Sequence, residues 1–260
     1  MPTNDRRLTP VATQAGDPTS DRAPAPPQVV ILAAGMGTRL GRSTPKPLTP
    51  LHDGRTILQR QVDVLRAVLG ADVDITVVVG FQCQTIMAAA PDLRFAYNPD
   101  FEWTNTSKSL LRGLGCTRPG GVLWLNGDVV FDPGVLGSAL LPLRADESFV
   151  CVDTAVVGDE EVKYTLDDTG HIRELSKTVR GGLGEAVGIN HVSAADRPAL
   201  EAALALAGDQ DYFEHAIEAA VTAGHVRFKA LDVGSHGVIE VDDEHDLARA
   251  NDLLVQGAPA

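Results

Sequence analysis

Aromatic residues make up only 5% of the 260 positions, cysteine occurs three times, and the 22 lysines and arginines are outnumbered by 35 aspartates and glutamates. Each shortage closes off a class of protein. Cys83, Cys116 and Cys151 stand far apart with no Cys-x-x-Cys, so neither a zinc site nor a disulfide framework is indicated and single buried thiols are expected. A formal net charge of -13 argues against a nucleic-acid surface, because phosphate backbones attract basic patches. No apolar run approaches the length that crosses a bilayer, and the start of the chain lacks the apolar core of a secretory signal. No membrane partner is therefore implied, and a cytoplasmic location is expected. With 44% hydrophobic residues the chain can bury a large core as one domain with a small appended lobe. Any site for an anionic substrate must make its own positive field from a few placed cations.

One stretch supplies such cations. The apolar run Val29-Val30-Ile31-Leu32 gives way to Ala33-Ala34-Gly35-Met36-Gly37-Thr38-Arg39-Leu40 and then to Thr44-Pro45-Lys46-Pro47-Leu48. This reads as a buried strand ending at a turn of residues with little side chain, where backbone can approach a ligand. Gly35 and Gly37 permit dihedrals other residues resist, and successive N–H groups in such a turn cradle anionic oxygens. Arg39 adds a planar fork suited to phosphate, and Lys46, stiffened by flanking prolines, adds a compact point charge. A Gly-x-Gly after a strand can equally open a dinucleotide-binding unit. That rival expects a third glycine where Leu40 stands, and an acidic residue closing the next strand, which here ends Val78-Val79-Gly80.

Apolar strands alternate with helical patterns along the chain, which predicts an α/β fold: a Rossmann-like, mostly parallel sheet flanked by helices, with ligands beyond the strand carboxyl ends. Residues 1–27, rich in Pro, Thr, Asp and Ala, read as a disordered tail, 28–254 as a single domain and 255–260 as a C-terminal tail. Within the domain, the hairpin pattern and glycine-rich bend over about 154–192 read as a small β-rich lobe. Thr56 is placed to cap a helix whose apolar positions are Ile57, Leu58, Val62, Leu65 and Val68. The strand ends at Ala33 and Gly80 should lie close together. The polar stretch Asn98–Leu110 can be a loop with a capped helix start, or a cluster of hydroxyl, amide and ammonium groups at a helix amino end. Asn126-Gly127-Asp128 follows another strand, and an aspartate there is well placed to hold a hard divalent cation. Glu240 and Asp242, one residue apart, point the same way in an extended segment and repel unless a cation lies between them; capping by Asp242 and Asp243 can coexist with this. Asp211 with Glu214 has the spacing of a capping box.

The small-residue turn, Thr-Arg-Leu and Pro-Lys-Pro-Leu together resemble the signature of the nucleotidyltransferases, which join a nucleoside triphosphate to a phosphorylated small molecule and release pyrophosphate. The likeness spans Gln28 to Leu254 and departs in one place, where only Gly41-Arg42-Ser43-Thr44-Pro45 separates Leu40 from Lys46. It implies the nucleotide-diphospho-sugar transferase type of fold, with the lobe at 154–192 serving the acceptor. The acidic pair Glu240 and Asp242 resembles that of phosphocholine-type cytidylyltransferases, which implies Mg2+ held by Asp128, Glu240 and Asp242. The likeness further implies Arg39 on the β- and γ-phosphates, Lys46 on the α-phosphate and incoming oxygen, and a base and ribose site formed by Leu32, Ala33, Ala34, Gly35, Gly37 and Thr38, with Gly80 and Phe81 nearby. Asn105, Ser107, Lys108, Lys163 and Lys177 are the expected acceptor contacts. Phosphocholine enzymes carry an aromatic residue where Lys108 stands, and a lysine repels an ammonium ligand. The expected reaction is therefore CMP transfer from CTP to a small anionic phosphonate or phosphate, phosphonoformate-like. Phosphocholine cytidylyltransferase and sugar-1-phosphate uridylyl- or guanylyltransferase are the alternatives, and homo-oligomerisation is left open.

Overall fold

The computed structural model describes residues 25–37, 44–155 and 161–256. Thr38 and Arg39 lie outside these residues, as does most of the segment read as an N-terminal tail. The strands are β1 (Gln28–Ala33), β2 (Asp74–Val79), β3 (Arg94–Tyr97), β4 (Val122–Asn126), β5 (Val129–Phe131), β6 (Phe149–Asp153), β7 (Lys163–Leu166), β8 (Ile172–Ser176), β9 (Glu185–Val192), β10 (Lys229–Asp232) and β11 (Val238–Glu240). The helices are α1 (Ile57–Leu69), α2 (Cys83–Ala89), α3 (Thr106–Gly115), α4 (Pro133–Arg144), α5 (Arg197–Leu206), α6 (Phe213–Thr222) and α7 (Glu244–Gln256). Among the described residues no helix is long and apolar enough to cross a membrane.

The main sheet runs β10-β6-β9-β4-β1-β2-β3. β1 is buried along its whole length and parallel to both neighbours, β2 and β4, as expected of a near-continuous apolar run. Its alternate residues separate the two faces. Val29, Ile31 and Ala33 pack with Leu58, Leu65, Ile86 and Leu136 from α1, α2 and α4. Val30 and Leu32 pack with Leu110, Leu114, Leu200, Phe213 and Ile217 from α3, α5 and α6. Thr56 and Gln59 close a reciprocal capping box at the start of α1. A third cluster, Leu51, Ile57, Val130, Val241, Leu247 and Ala250, ties β5 and the end of the chain to the start of α1.

Two features of the sheet position the site. The chain steps outward from β1 through β2 to β3, then returns to lay β4 on the other side of β1, so a crevice opens beyond the carboxyl ends of β1 and β4. The second feature is a correction. The segment 154–192 is divided: β7 and β8 form an antiparallel hairpin, but β9 enters the main sheet between β4 and β6, antiparallel to both. Gly188 to Val192 of β9 are buried, as a strand covered on both faces requires, and a peripheral lobe would leave them exposed. Cys116 also departs from expectation, being exposed.

Candidate functional site

The turn after β1 is held by main chain. Phe81 N–H donates to Ala34 O at 3.2 Å and Gly127 N–H to Leu32 O at 2.8 Å, which joins the ends of β1, β2 and β4. Such close approach requires glycine: a Cβ on Gly80 would lie 2.7 Å from Ala34 O, and one on Gly127 2.7 Å from Leu32 O. Gly37, at φ 56, lies against the side chain of Lys46, the first residue of a short 3-10 turn (Lys46–Leu48). A hollow of about 90 Å³ lies between Leu32, Ala33, Gly35, Gly37, Lys46, Pro47, Gly127 and Asp128.

Lys46 is the centre of charge. Its Nζ lies 2.9 Å from Asp128 Oδ2 and 2.6 Å from Asp242 Oδ1. Burial pulls the pKa of this ammonium down, and the two carboxylates outweigh that, leaving it raised and the group charged. Asp128 reaches Lys46 because Gln61, buried on α1, donates to Asn126 O and Val129 O at 2.9 and 2.8 Å and so pins the loop between β4 and β5. Glu240 and Asp242 arrive through β11, which pairs antiparallel with β5 and sets Glu240 opposite Val129; Val241 N–H then donates to Asp128 O at 3.0 Å. Asp243, one residue on, caps α7 through His245 N and Asp246 N. Ligand oxygens of Asp128, Glu240 and Asp242 all lie within 4.8 Å of one another. Burial in the crevice, with the like charges of Asp128 and Asp242, raises the pKa of Glu240. Glu240 keeps solvent access, so the like-charge repulsion is the firmer cause. Three hard oxygen donors against one ammonium leave a net negative pocket, which suits a small divalent cation such as Mg2+.

These carboxylates open onto a cleft of about 270 Å³, whose second wall comes from α3, α6 and the end of β8: Thr106, Lys177, Tyr212, Phe213 and Glu214. Four of the five expected acceptor contacts are absent from this wall. Asn105 caps α3, accepting from Thr106 N at 2.8 Å and donating to Gln210 O at 3.3 Å. Ser107 is fully buried under the helix. Lys108 points the other way, its Nζ donating to the carbonyls of Leu204, Ala205 and Ala207 at the end of α5, where a cation offsets the helix dipole. The polar stretch before α3 braces itself, with Asn98 donating to Thr104 and Ser109 and accepting from Arg112. Lys163 lies on β7 opposite Ser176 and Glu185, its Nζ 3.5 Å from Lys177 O. Of the five expected acceptor residues, Lys177 alone lines this cleft.

The wall also holds residues that local reading passed over. Glu214 does not box the start of α6: the helix begins at Phe213, no side chain caps it, and Asp211 accepts from Gly208 N instead. The Glu214 side chain turns inward, 7% exposed, and its Oε2 has no partner. Burial pushes this carboxyl up to about 7, with Lys177 pulling the other way. Lys177 carries its ammonium 4.9 Å above the Tyr212 ring. For Gln61 a signal existed, an amide on the apolar stripe of an amphipathic helix. For Glu214 the i, i+3 spacing pointed elsewhere.

Comparison with known proteins gives these positions a context. A family model described as a MobA-like NTP transferase domain matches residues 29–221. A CMP-5'-(3-aminopropyl)phosphonate synthase of Streptomyces rubellomurinus is 30% identical over 254 residues, which cover 87% of this chain but 38% of that protein, so the chain spans well under half of this relative. Among solved structures, an inositol-1-phosphate CTP transferase from T. maritima superposes with a TM-score of 0.73 at 18% identity, over 89% of this chain and 96% of that one. A CTP:phosphocholine cytidylyltransferase from Streptococcus pneumoniae does so with a TM-score of 0.71 at 16% identity, over 88% and 100%. At these identities the two structures establish the fold.

Proposed function

Because the chain belongs to the MobA-like NTP transferase family, we propose that it transfers CMP from CTP to an oxygen of a small phosphonate and releases pyrophosphate. The observation that carries this reading is the convergence of Lys46, Asp128, Glu240 and Asp242, from three separated segments, beyond the ends of β1 and β4. The name of the curated relative supports both CMP transfer and a phosphonate acceptor. The phosphonoformate-like acceptor expected above rested largely on Lys108, with the low aromatic content beside it; the Lys108 ammonium lies at the end of α5, so that part of its support is lost.

A phosphonate oxygen is ionised at neutral pH, so the reaction needs no general base. The acceptor oxygen bonds to the α-phosphorus as the bond to the bridging oxygen breaks and pyrophosphate departs. The barrier is repulsion between anions, and catalysis comes from positioning and charge stabilisation. Lys46 carries the positive charge toward the α-phosphate and the incoming oxygen, moving off Asp128 and Asp242 as it does so. Those two carboxylates and Glu240 would hold Mg2+, which neutralises phosphate oxygens when bound. The turn from Leu32 to Gly37, with Gly80 and Phe81, offers main chain to the base and ribose; for Thr38 and Arg39, which lie outside the described residues, the roles at the nucleotide and at the β- and γ-phosphates rest on the family likeness alone. Lys177, and Lys163 beside it, are cations of the acceptor side.

The test is pyrophosphate release from CTP, UTP, GTP and ATP against alkylphosphonates, phosphocholine and sugar 1-phosphates, with Mg2+ and with a chelator. CTP with an alkylphosphonate should give the highest kcat/KM, and chelation should abolish it. Preference for UTP or GTP with a sugar 1-phosphate would replace the reading.

A further inference from the structure

The nucleotidyl-transfer reading brings an acceptor anion into a cleft whose walls are mostly acidic. Among the described residues, seven carboxyl side chains line this cleft and only two cations do, Lys177 and Arg249. Lys46 belongs to the adjoining hollow, where that reading has it serve the nucleotide. The two cations of the cleft are placed differently. Lys177 keeps its ammonium over the Tyr212 ring. Arg249 stands on α7, a helix fixed to the body of the protein by Leu247 and Ala250 in the third cluster and by Asn251, which accepts from His52 N–H at 2.7 Å. Asp246, three residues earlier, ties Arg249 to the carboxylate cluster. Its Oδ2 accepts from Asp242 N–H at 3.2 Å, and Arg249 Nη1 donates to its Oδ1 at 3.3 Å. The guanidinium is thereby held in register with Asp242, whose own side chain meets Lys46. An ion pair of this spacing on an exposed helix face is by itself worth little. This one lines the cleft, and among the described residues Nε and Nη2 of Arg249 carry no hydrogen bond, which leaves one two-donor edge of the fork open.

Resting on the reading above for the reaction, we infer that Arg249 seats the phosphonate of the acceptor, its Nε and Nη2 donating to two of the three oxygens. A planar fork matches two oxygens on one phosphorus, and the third is left to attack the α-phosphorus. Lys46 then works from the nucleotide side and Arg249 from the acceptor side, with Asp242 in contact with the first and linked through Asp246 to the second. Asp246 acts as a positioning residue, since one carboxylate holds both the main chain of Asp242 and the guanidinium.

The test is calorimetric titration of propylphosphonate into the wild type, Arg249→Met and Arg249→Lys, with Mg2+ and α,β-methylene-CTP, whose bridging carbon blocks transfer. Arg249→Met should weaken propylphosphonate at least about tenfold, the scale of lost charge-assisted contacts. Affinity for α,β-methylene-CTP, titrated alone, should stay within about twofold of wild type in that variant. Arg249→Lys should still weaken propylphosphonate about threefold, because an ammonium keeps the charge without the two parallel donors. Wild-type affinity for propylphosphonate in Arg249→Met overturns the inference, as does a loss matched by an equal loss for the nucleotide. If a thermal melt shows the methionine variant unfolded, wild-type affinity in Arg249→Lys overturns it instead. Propylphosphonate turnover and binding that are both indifferent to Arg249 remove the seat and leave the transfer reading standing. Binding that depends on Arg249, with no CMP passed from CTP to any phosphonate, keeps the seat and removes the transfer reading. A wild type that binds no propylphosphonate beside the analogue removes both.

Discussion

Three carboxylates stand on one wall of the cleft, and their charge is already answered from the adjoining hollow: Lys46 bridges Asp128 and Asp242, and β11 is laced to β5 so that Glu240 joins them. On the other, a carboxylate lies buried with an oxygen unanswered. On the proposed reading, the first wall serves a step common to any acceptor, the transfer at phosphorus, and can be assembled in advance. On the same reading the second wall would distinguish one acceptor from another, and a site does this best by leaving polar groups that only the right ligand satisfies.

The largest effect should come from breaking the first wall. Lys46→Ala should lower kcat by about 10²–10³-fold, the scale of losing one charge stabiliser in a shielded site. Binding of an alkylphosphonate, measured without nucleotide, should change little if the acceptor is held elsewhere. The variant also leaves three carboxylates facing one another, so Mg2+ should raise its Tm more than that of the wild type. Unchanged turnover would remove Lys46 from the chemistry. An equal loss of acceptor affinity would merge the two walls into one.

A smaller effect should mark the second wall in stability rather than rate. In the folded protein, burial holds the proton on Glu214 up to about 7, against an ordinary 4.5 in the unfolded chain. Folding therefore takes up a proton between these values. The stabilisation is full below about pH 4.5 and is lost as the pH rises through 7. Lys177, the cation nearest this carboxyl, works against the shift and is included in its net direction. Denaturant unfolding from pH 4.5 to 8 should show the wild type losing up to about 3 kcal/mol relative to Glu214→Gln, in which nothing titrates at this position. Parallel curves for the two proteins would mean that Glu214 is hydrated and that the contrast between the walls is overstated.

What could be read from sequence divides along the same line. The buried run of β1, its turn and the proline-flanked Lys46 are local patterns, and the alternation of strands with helices disclosed the layered α/β plan. Asp128, Glu240 and Asp242 could each be picked out by spacing, but the contact that unites them, the three-residue pairing of β5 with β11, joins segments more than 100 residues apart and has no local signature. β9 was read into a lobe because it follows a hairpin; its place in the sheet depends on β4 and β6 offering edges on both sides. Glu214 shows tertiary burial overriding a local rule, since the spacing that elsewhere makes a capping box here turns the carboxylate into the protein.

Lys108 provides the smallest expected effect and the finest discrimination. At the start of α3 it has the look of an anion-binding residue, and a cation at a helix amino end is electrostatically misplaced unless a ligand repays it. The structure removes that difficulty by sending the ammonium across to α5, where the carbonyls of Leu204, Ala205 and Ala207 lack helical partners. Lys108→Met keeps most of the apolar stem and deletes only these charge-assisted bonds. It should cost about 1 kcal/mol in denaturant unfolding, because the site is partly open to water. KM for the acceptor and for CTP should stay within about twofold of wild type, since one helix cap is all that is lost. A selective rise in the acceptor KM would return Lys108 to the acceptor side, and with it the case for a second anion. An unchanged KM with a small loss of stability leaves acceptor selection to the wall built by Tyr212 and Glu214.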